Sequence, residues 1–238
     1  MKKTPQRHFP YQHPTFGTDK RPKRPWFWED TVYFYWWSYL KRNEEYIQTC
    51  EQSGAGTLSK LYSDFGDVRG DSFKVWWKDE NRGVRLFAEP EATTTLREVS
   101  KDEINALEGE QLLIAVPLNL PKKFLLARFR SLLADRKEGG VGRQYAKRSR
   151  AKYQFKGQPN IKALRTTLEV YDFIKANPKK KLWEVGKILP QFQIELDECE
   201  KKGEVPSYHL KRTIEATVSR YKRKATQSVK NVSLGIFP

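Results

Sequence analysis

The residues of this chain best suited to do chemistry are cations. Arg212, Arg220, Arg223, Lys224 and Lys230 recur along one carboxyl-terminal stretch. Lys179, Lys180 and Lys181 form a run. Arg143, Lys147, Arg148, Arg150 and Lys152 crowd a third segment. A guanidinium offers a rigid fork of donors that matches phosphate oxygens and base edges, and an ammonium is a compact point charge for phosphate. Tyr145, Tyr153 and Phe155 lie among these cations and offer ring faces on which unpaired bases stack. The chemistry they suit is the binding of a polyanion.

Groups that make or break bonds are scarce. Histidine occurs three times, as His8, His13 and His209, and cysteine twice, as Cys50 and Cys199. Neither shows the paired spacing of a zinc site, and two cysteines exclude a disulfide scaffold. Asp64, Asp67, Asp71 and Glu89 are oxygen donors that a magnesium-dependent nuclease would use, yet they carry no metal-nuclease signature. Asp64-Phe65-Gly66 spells a kinase tripeptide without the glycine loop or catalytic loop that kinase chemistry needs. Gly139–Gly142 lacks the GxxxxGK[ST] phosphate loop. We therefore expect no catalytic residue, no metal and no cofactor, with metal-dependent cleavage as the enzymatic alternative.

Charge patterning points the same way. The 238 residues carry Lys+Arg 45 against Asp+Glu 29, a formal net charge of +16. Residues 1–25, 136–156 and 201–230 together hold an excess of about +20, which leaves a slightly acidic remainder. Local cation density of this kind displaces the counterions condensed on a phosphate backbone. Aromatics make up 13% of the chain, including Trp 7, too many for a disordered protein. No apolar run reaches the ~18 residues of a membrane span, and residues 1–10 lack the apolar core of a secretory signal. A cytoplasmic protein, nucleoid-associated if it binds DNA, is the simplest expectation.

The elements that must hold these residues follow from periodicity. Residues 1–25, with five prolines, read as a flexible basic arm. Residues 30–48 read as a helix capped by Asp30 or Thr31, with Tyr33, Trp36, Trp37 and Leu40 on one face. Leu58–Phe65 reads as a further helical segment, followed by Ser72–Lys78. Phe73, Trp76 and Trp77 give the second aromatic face, expected to pack against the first. Val84–Ala88, Thr93–Val99 and Leu112–Val116 read as strands, Ser100–Glu103 as the capping box of a short helix, and residues from Pro121 as a helix with Leu125, Leu126, Phe129, Leu132 and Leu133 as its apolar stripe. Residues 26–135 thus form an aromatic-rich α+β domain that could also oligomerise or bind a protein partner. Residues 136–159 read as a basic linker.

Residues 160–238 read as an all-helical domain. Asn160–Ala176 is a helix stopped at Asn177-Pro178, followed by the lysine turn and a short helix over Leu182–Leu189. That is a helix-turn-helix rhythm, in which Gly186 would allow close approach of a neighbour. Phe192–Lys202 is another short helix. Ser207 caps a long one running to about Lys230. Its apolar stripe is Leu210, Ile214, Val218, Tyr221 and Ala225, and Arg212, Ser219, Arg223, Gln227 and Lys230 lie opposite, flanked by Arg220 and Lys224. The apolar face is needed for a core, which argues against a membrane-surface role.

The stretch YWWSYLKRNEEY, Tyr35–Tyr46, resembles the aromatic-rich opening of a little-characterised group of bacterial proteins associated with mobile elements and described as transcriptional regulators. Leu164–Asp172, Leu182–Leu189 and Tyr208–Lys230 are similar to the helix order of their carboxyl half. The resemblance covers two short stretches and implies DNA binding in a regulatory role; it supplies no site residue.

The fold class expected is α+β, mainly helical: a small mixed α+β amino-terminal unit and a helix-turn-helix-like carboxyl-terminal domain. The function expected is duplex-DNA binding through that domain. The alternatives are an RNA- or single-strand-binding ribonucleoprotein component and an assembly protein of a virus or mobile element.

Overall fold

The computed structural model describes residues 8–18, 20–90, 113–136 and 149–238. The protein is mainly helical, and among the described residues there is one small antiparallel sheet, β1 (Gly17–Thr18) paired with β2 (Arg21–Pro22). After α1 (Trp26–Glu29) come α2 (Val32–Leu40), α3 (Glu44–Glu51), α4 (Ser59–Phe65), α5 (Phe73–Lys78) and α6 (Arg82–Phe87). Helix α7 (Lys122–Arg136) follows. The carboxyl-terminal part is α8 (Ile161–Ala176), a 3-10 turn (Leu182–Ile188), α9 (Pro190–Lys202) and α10 (Tyr208–Ser233).

Helix α2 is the centre of the core. Thr31 caps it, its Oγ1 accepting the Phe34 N–H. Tyr33, Trp36 and Tyr39 are fully buried. Trp36 touches Phe65, Phe87, Tyr153, Phe155 and Phe237, and Trp37 meets Trp76 at a ring separation of 6.4 Å. The two tryptophan pairs therefore pack together as the sequence predicts. Each buried ring contributes on the order of 1.5–3 kcal/mol of transfer free energy. The Trp76 indole donates to the Phe65 carbonyl, whereas those of Trp36 and Trp37 are buried without an acceptor, a cost of about 1–3 kcal/mol each that the packing outweighs.

The single helix expected over residues 30–48 is broken into α2 and α3. Asn43 makes the break. Its Oδ1 accepts the Tyr46 N–H to cap α3, and its Nδ2 donates 2.9 Å to the Val229 carbonyl, nearly two hundred positions away in the chain. The strand expected at Val84–Ala88 is helical instead. Val84 is its lone β-branched residue, and the helical turn sets Gly83 one turn before Phe87. Trp77 lies flat against both. A Cβ at Gly83 would fall 2.1 Å from the Trp77 ring, which stacks on Phe87 at 6.0 Å. Residues 113–117 are irregular, not a strand. Residues 93–99 and 100–103 lie outside the described residues. The described β-strands fall in the segment read as an arm.

That segment is tied down from His8 onwards. Phe9 and Tyr11 pack on the core, Phe16 is buried, and the Glu89 N–H donates to the His8 carbonyl. Residues 149–159, read as linker, are also built in: Ala151 and Phe155 are buried, and Phe155 bridges in parallel to Phe237. The aromatic core takes in Leu164 and Leu168 of α8 and Ala225, Val229 and Val232 of α10. A second, aliphatic core joins Val170, Val185, Leu189, Leu196, Ile214 and Val218.

Candidate nucleic-acid interface

Helix α10 is the element that positions most of the predicted contacts. Ser207 caps it as expected, its Oγ accepting the Leu210 N–H at 3.2 Å. Its 26 residues make a rod about 39 Å long. Ile214, Val218, Ala225, Ser228, Val229 and Val232 are buried, on α8, the 3-10 turn and α2. Gly186 makes the closest approach: a Cβ there would lie 2.4 Å from Ile214 Cγ2. The small residue expected to admit a neighbour does so, and the neighbour is α10.

With that stripe committed to the two cores, the opposite face must look outward. Arg212, Arg220, Arg223, Lys224 and Lys230 are all exposed. Arg212 donates to the Tyr208 hydroxyl; the other four have no hydrogen bond or ion pair among the described residues. Several cations elsewhere are paired. Arg42 holds Asp172 in a bidentate pair, Arg165 pairs with Asp30, Lys175 with Glu44 at 3.0 Å and Lys187 with Glu200 at 2.7 Å. Lys187 accordingly holds the Glu200 carboxyl below its usual range. Among the described residues no cation of α10 is in an ion pair. Lys222, also exposed and without such a partner, belongs to the same cluster; the run Arg220–Lys224 carries the signal that would have included it.

The lysine turn is exposed as well. Lys180 Nζ sits 5.0 Å over the Phe173 ring, and Lys181 uses its backbone N–H to meet Glu184. Lys179 has no hydrogen bond or ion pair among the described residues, leaving its ammonium to solvent. Between the turn and α10, Lys211 lies 5.1 Å over the Trp183 ring.

The third predicted cluster is different. Arg143, Tyr145, Lys147 and Arg148 lie outside the described residues. Arg150 is exposed, its backbone N–H donating to Glu89. Lys152 is not a free phosphate clamp: its ammonium is 2.5 Å from Asp64. Tyr153 and Phe155 are corrected as base-stacking candidates. Phe155 is buried, with rings of Tyr33, Trp36 and Phe87 around it. Tyr153 packs on Phe65 and donates 2.7 Å to Asp64. Burial and then that carboxylate push its phenol well above the usual range. These aromatics lie two apart, as in a strand edge reaching inward, and the core won them because a large apolar ring gains more there than in water.

The four carboxylates weighed for metal binding are dispersed. Asp64 serves Lys152 and Tyr153, Asp67 serves Arg69, Asp71 lies by Lys41, and Glu89 accepts from Arg150. Among the described residues no group of three or more His, Cys, Asp or Glu could hold a metal ion, and no helix is long and apolar enough to cross a membrane. No protein-family model, curated protein or solved structure matches this chain.

Proposed function

We propose that this protein binds duplex DNA, with α10 as the contact element and the lysine turn beside it, and acts as a regulator. The observation that carries the reading is the outer face of α10, a row of exposed cations of which none forms an ion pair among the described residues. Exposed cations left without partners gain most from a phosphate backbone, because released counterions supply the free energy. Arg212, Arg223 and Lys230 lie on one line of the helix, over about 27 Å. That run suits backbone tracking, with Arg220 and Arg223 able to present forks to base edges.

The single-strand or RNA reading rested on stacking by Tyr145, Tyr153 and Phe155, and two of those rings are packed in the core. The test is a titration of the purified chain with duplex DNA, single-stranded DNA and RNA of one sequence over a range of salt. The duplex should bind tightest, with a log–log salt slope near −4 to −5 if about five phosphates are contacted. Equal or tighter binding of single strands, or affinity indifferent to salt, overturns the proposal.

A further inference from the structure

A cluster of uncovered apolar residues lies on α7 and the segment before it. Leu113, Val116, Leu118, Leu120, Phe124 and Leu126 are all exposed, Leu118 at 88%. A groove of about 450 Å³ runs between Ile114, Val116 and Pro117 on one wall and Leu125, Phe129 and Leu132 on the other. That volume is in the range of sites that accept apolar side chains. Water against this much Leu and Phe is unfavourable, and patches of this kind mark interaction sites.

The charges around the groove define its occupant. Leu125, Phe129, Leu132 and Leu133 share one face of α7 by their spacing. Arg128 borders that face on one side, and Arg130 and Lys123 on the other; all three are exposed. Arg128 also lies 5.4 Å over the Phe124 ring. A phosphate backbone would satisfy these cations and leave the apolar floor unfilled. A second α7 would fill the floor and oppose like charges. A concave groove suits inserted side chains better than the plane of a lipid surface.

We propose that the α7 groove is a docking site for an acidic amphipathic helix of another protein, with Leu or Phe anchors on one face and Asp or Glu on its flanks. This is a helix-in-groove mode, in which apolar anchors give affinity and flanking charges give orientation. It is independent of the DNA reading.

The probe is a labelled synthetic helix of about 18 residues, long enough to be partly helical in water, with Leu and Phe on one face and Glu on the other. It is titrated against the full chain beside a Lys-for-Glu version and anionic phosphatidylglycerol vesicles. The Glu peptide should bind saturably, and Phe129→Asp should weaken it at least about tenfold. The double reversal Arg128→Glu/Arg130→Glu should weaken the Glu peptide and favour the Lys peptide, an inversion that a misfolded variant would not produce. Duplex affinity in these variants should change less than about twofold. Equal binding of both peptides, or none, overturns the proposal. So does preference for vesicles, self-association that the peptide cannot compete away, or a photo-crosslinker at Leu118 that joins only residues 91–112 of the same chain.

Discussion

Helices α7 and α10 are both basic, and they end in opposite situations. On α10 the apolar stripe is consumed by two cores, so the cations are what remains for a partner. On α7 Leu125, Phe129, Leu132 and Leu133 are half-buried while Phe124 and Leu126 are exposed, so a partner there would meet apolar groups as well as charge. Net charge alone would have assigned both to nucleic acid. Burying one apolar face and leaving the other half-covered distinguishes the two surfaces and underlies the two proposals.

The largest expected effect lies on the covered face. Ile214→Ala should cost about 2–5 kcal/mol in chemical unfolding, since it opens a cavity where α10 meets the 3-10 turn. A loss below 1 kcal/mol would mean that α10 is not held as described. Next comes Gly186→Ala. The added methyl meets Ile214 and should destabilise by about 1–3 kcal/mol. In the Ile214→Ala background that penalty should shrink, which a double-mutant cycle measures.

On the outer face, Arg220→Ala with Arg223→Ala should leave stability within about 0.5 kcal/mol. Duplex affinity should fall about ten- to a hundredfold, and the salt slope should flatten by about two. An unchanged slope would break the contrast between the two helices.

Alkaline pH probes the aromatic core that anchors α10. The phenols of Tyr39, Tyr46 and Tyr153 donate to the Leu164 carbonyl, the Gly66 carbonyl and Asp64. Burial holds all three above the ordinary value of 10.0. Folding thus favours the protonated phenols. Their stabilisation is complete below pH 10.0 and is lost as pH rises beyond it. Tyrosinate absorbance and tryptophan fluorescence should change together in one alkaline transition, and buried tyrosines that ionise without unfolding would contradict the packing.

The smallest effect is expected for Leu126→Ala on α7, within about 0.5 kcal/mol, because that side chain is already 48% exposed. Set beside Ile214→Ala, it is the most direct thermodynamic comparison of the two helices.

Much of the fold was legible where the signal is local. Ser207, Asn160 and Thr31 cap helices as their residue types predict, since each side chain satisfies an amide at the helix start. The stripe of α10 and the meeting of the tryptophan pairs were legible from spacing. Val84–Ala88 was not, because a single Trp77 ring laid across Gly83 and Phe87 decides its helical form. Phe155 was misread because an aromatic among cations looks the same in sequence whether it faces solvent or Trp36. Of the candidate interface, the exposed cations of α10 were legible. That Lys152 is held by Asp64 was not, since the two stand far apart in the chain.

Composition and contacts within a few residues set the mainly helical class, the long basic helix and the excess of positive charge. Tertiary structure decided which apolar faces are covered, which aromatics are core and which cations keep their charge free. Those outcomes depend on residues distant in the chain, such as Asn43 and Val229 or Gly186 and Ile214, meeting at ångström distances that no local pattern encodes.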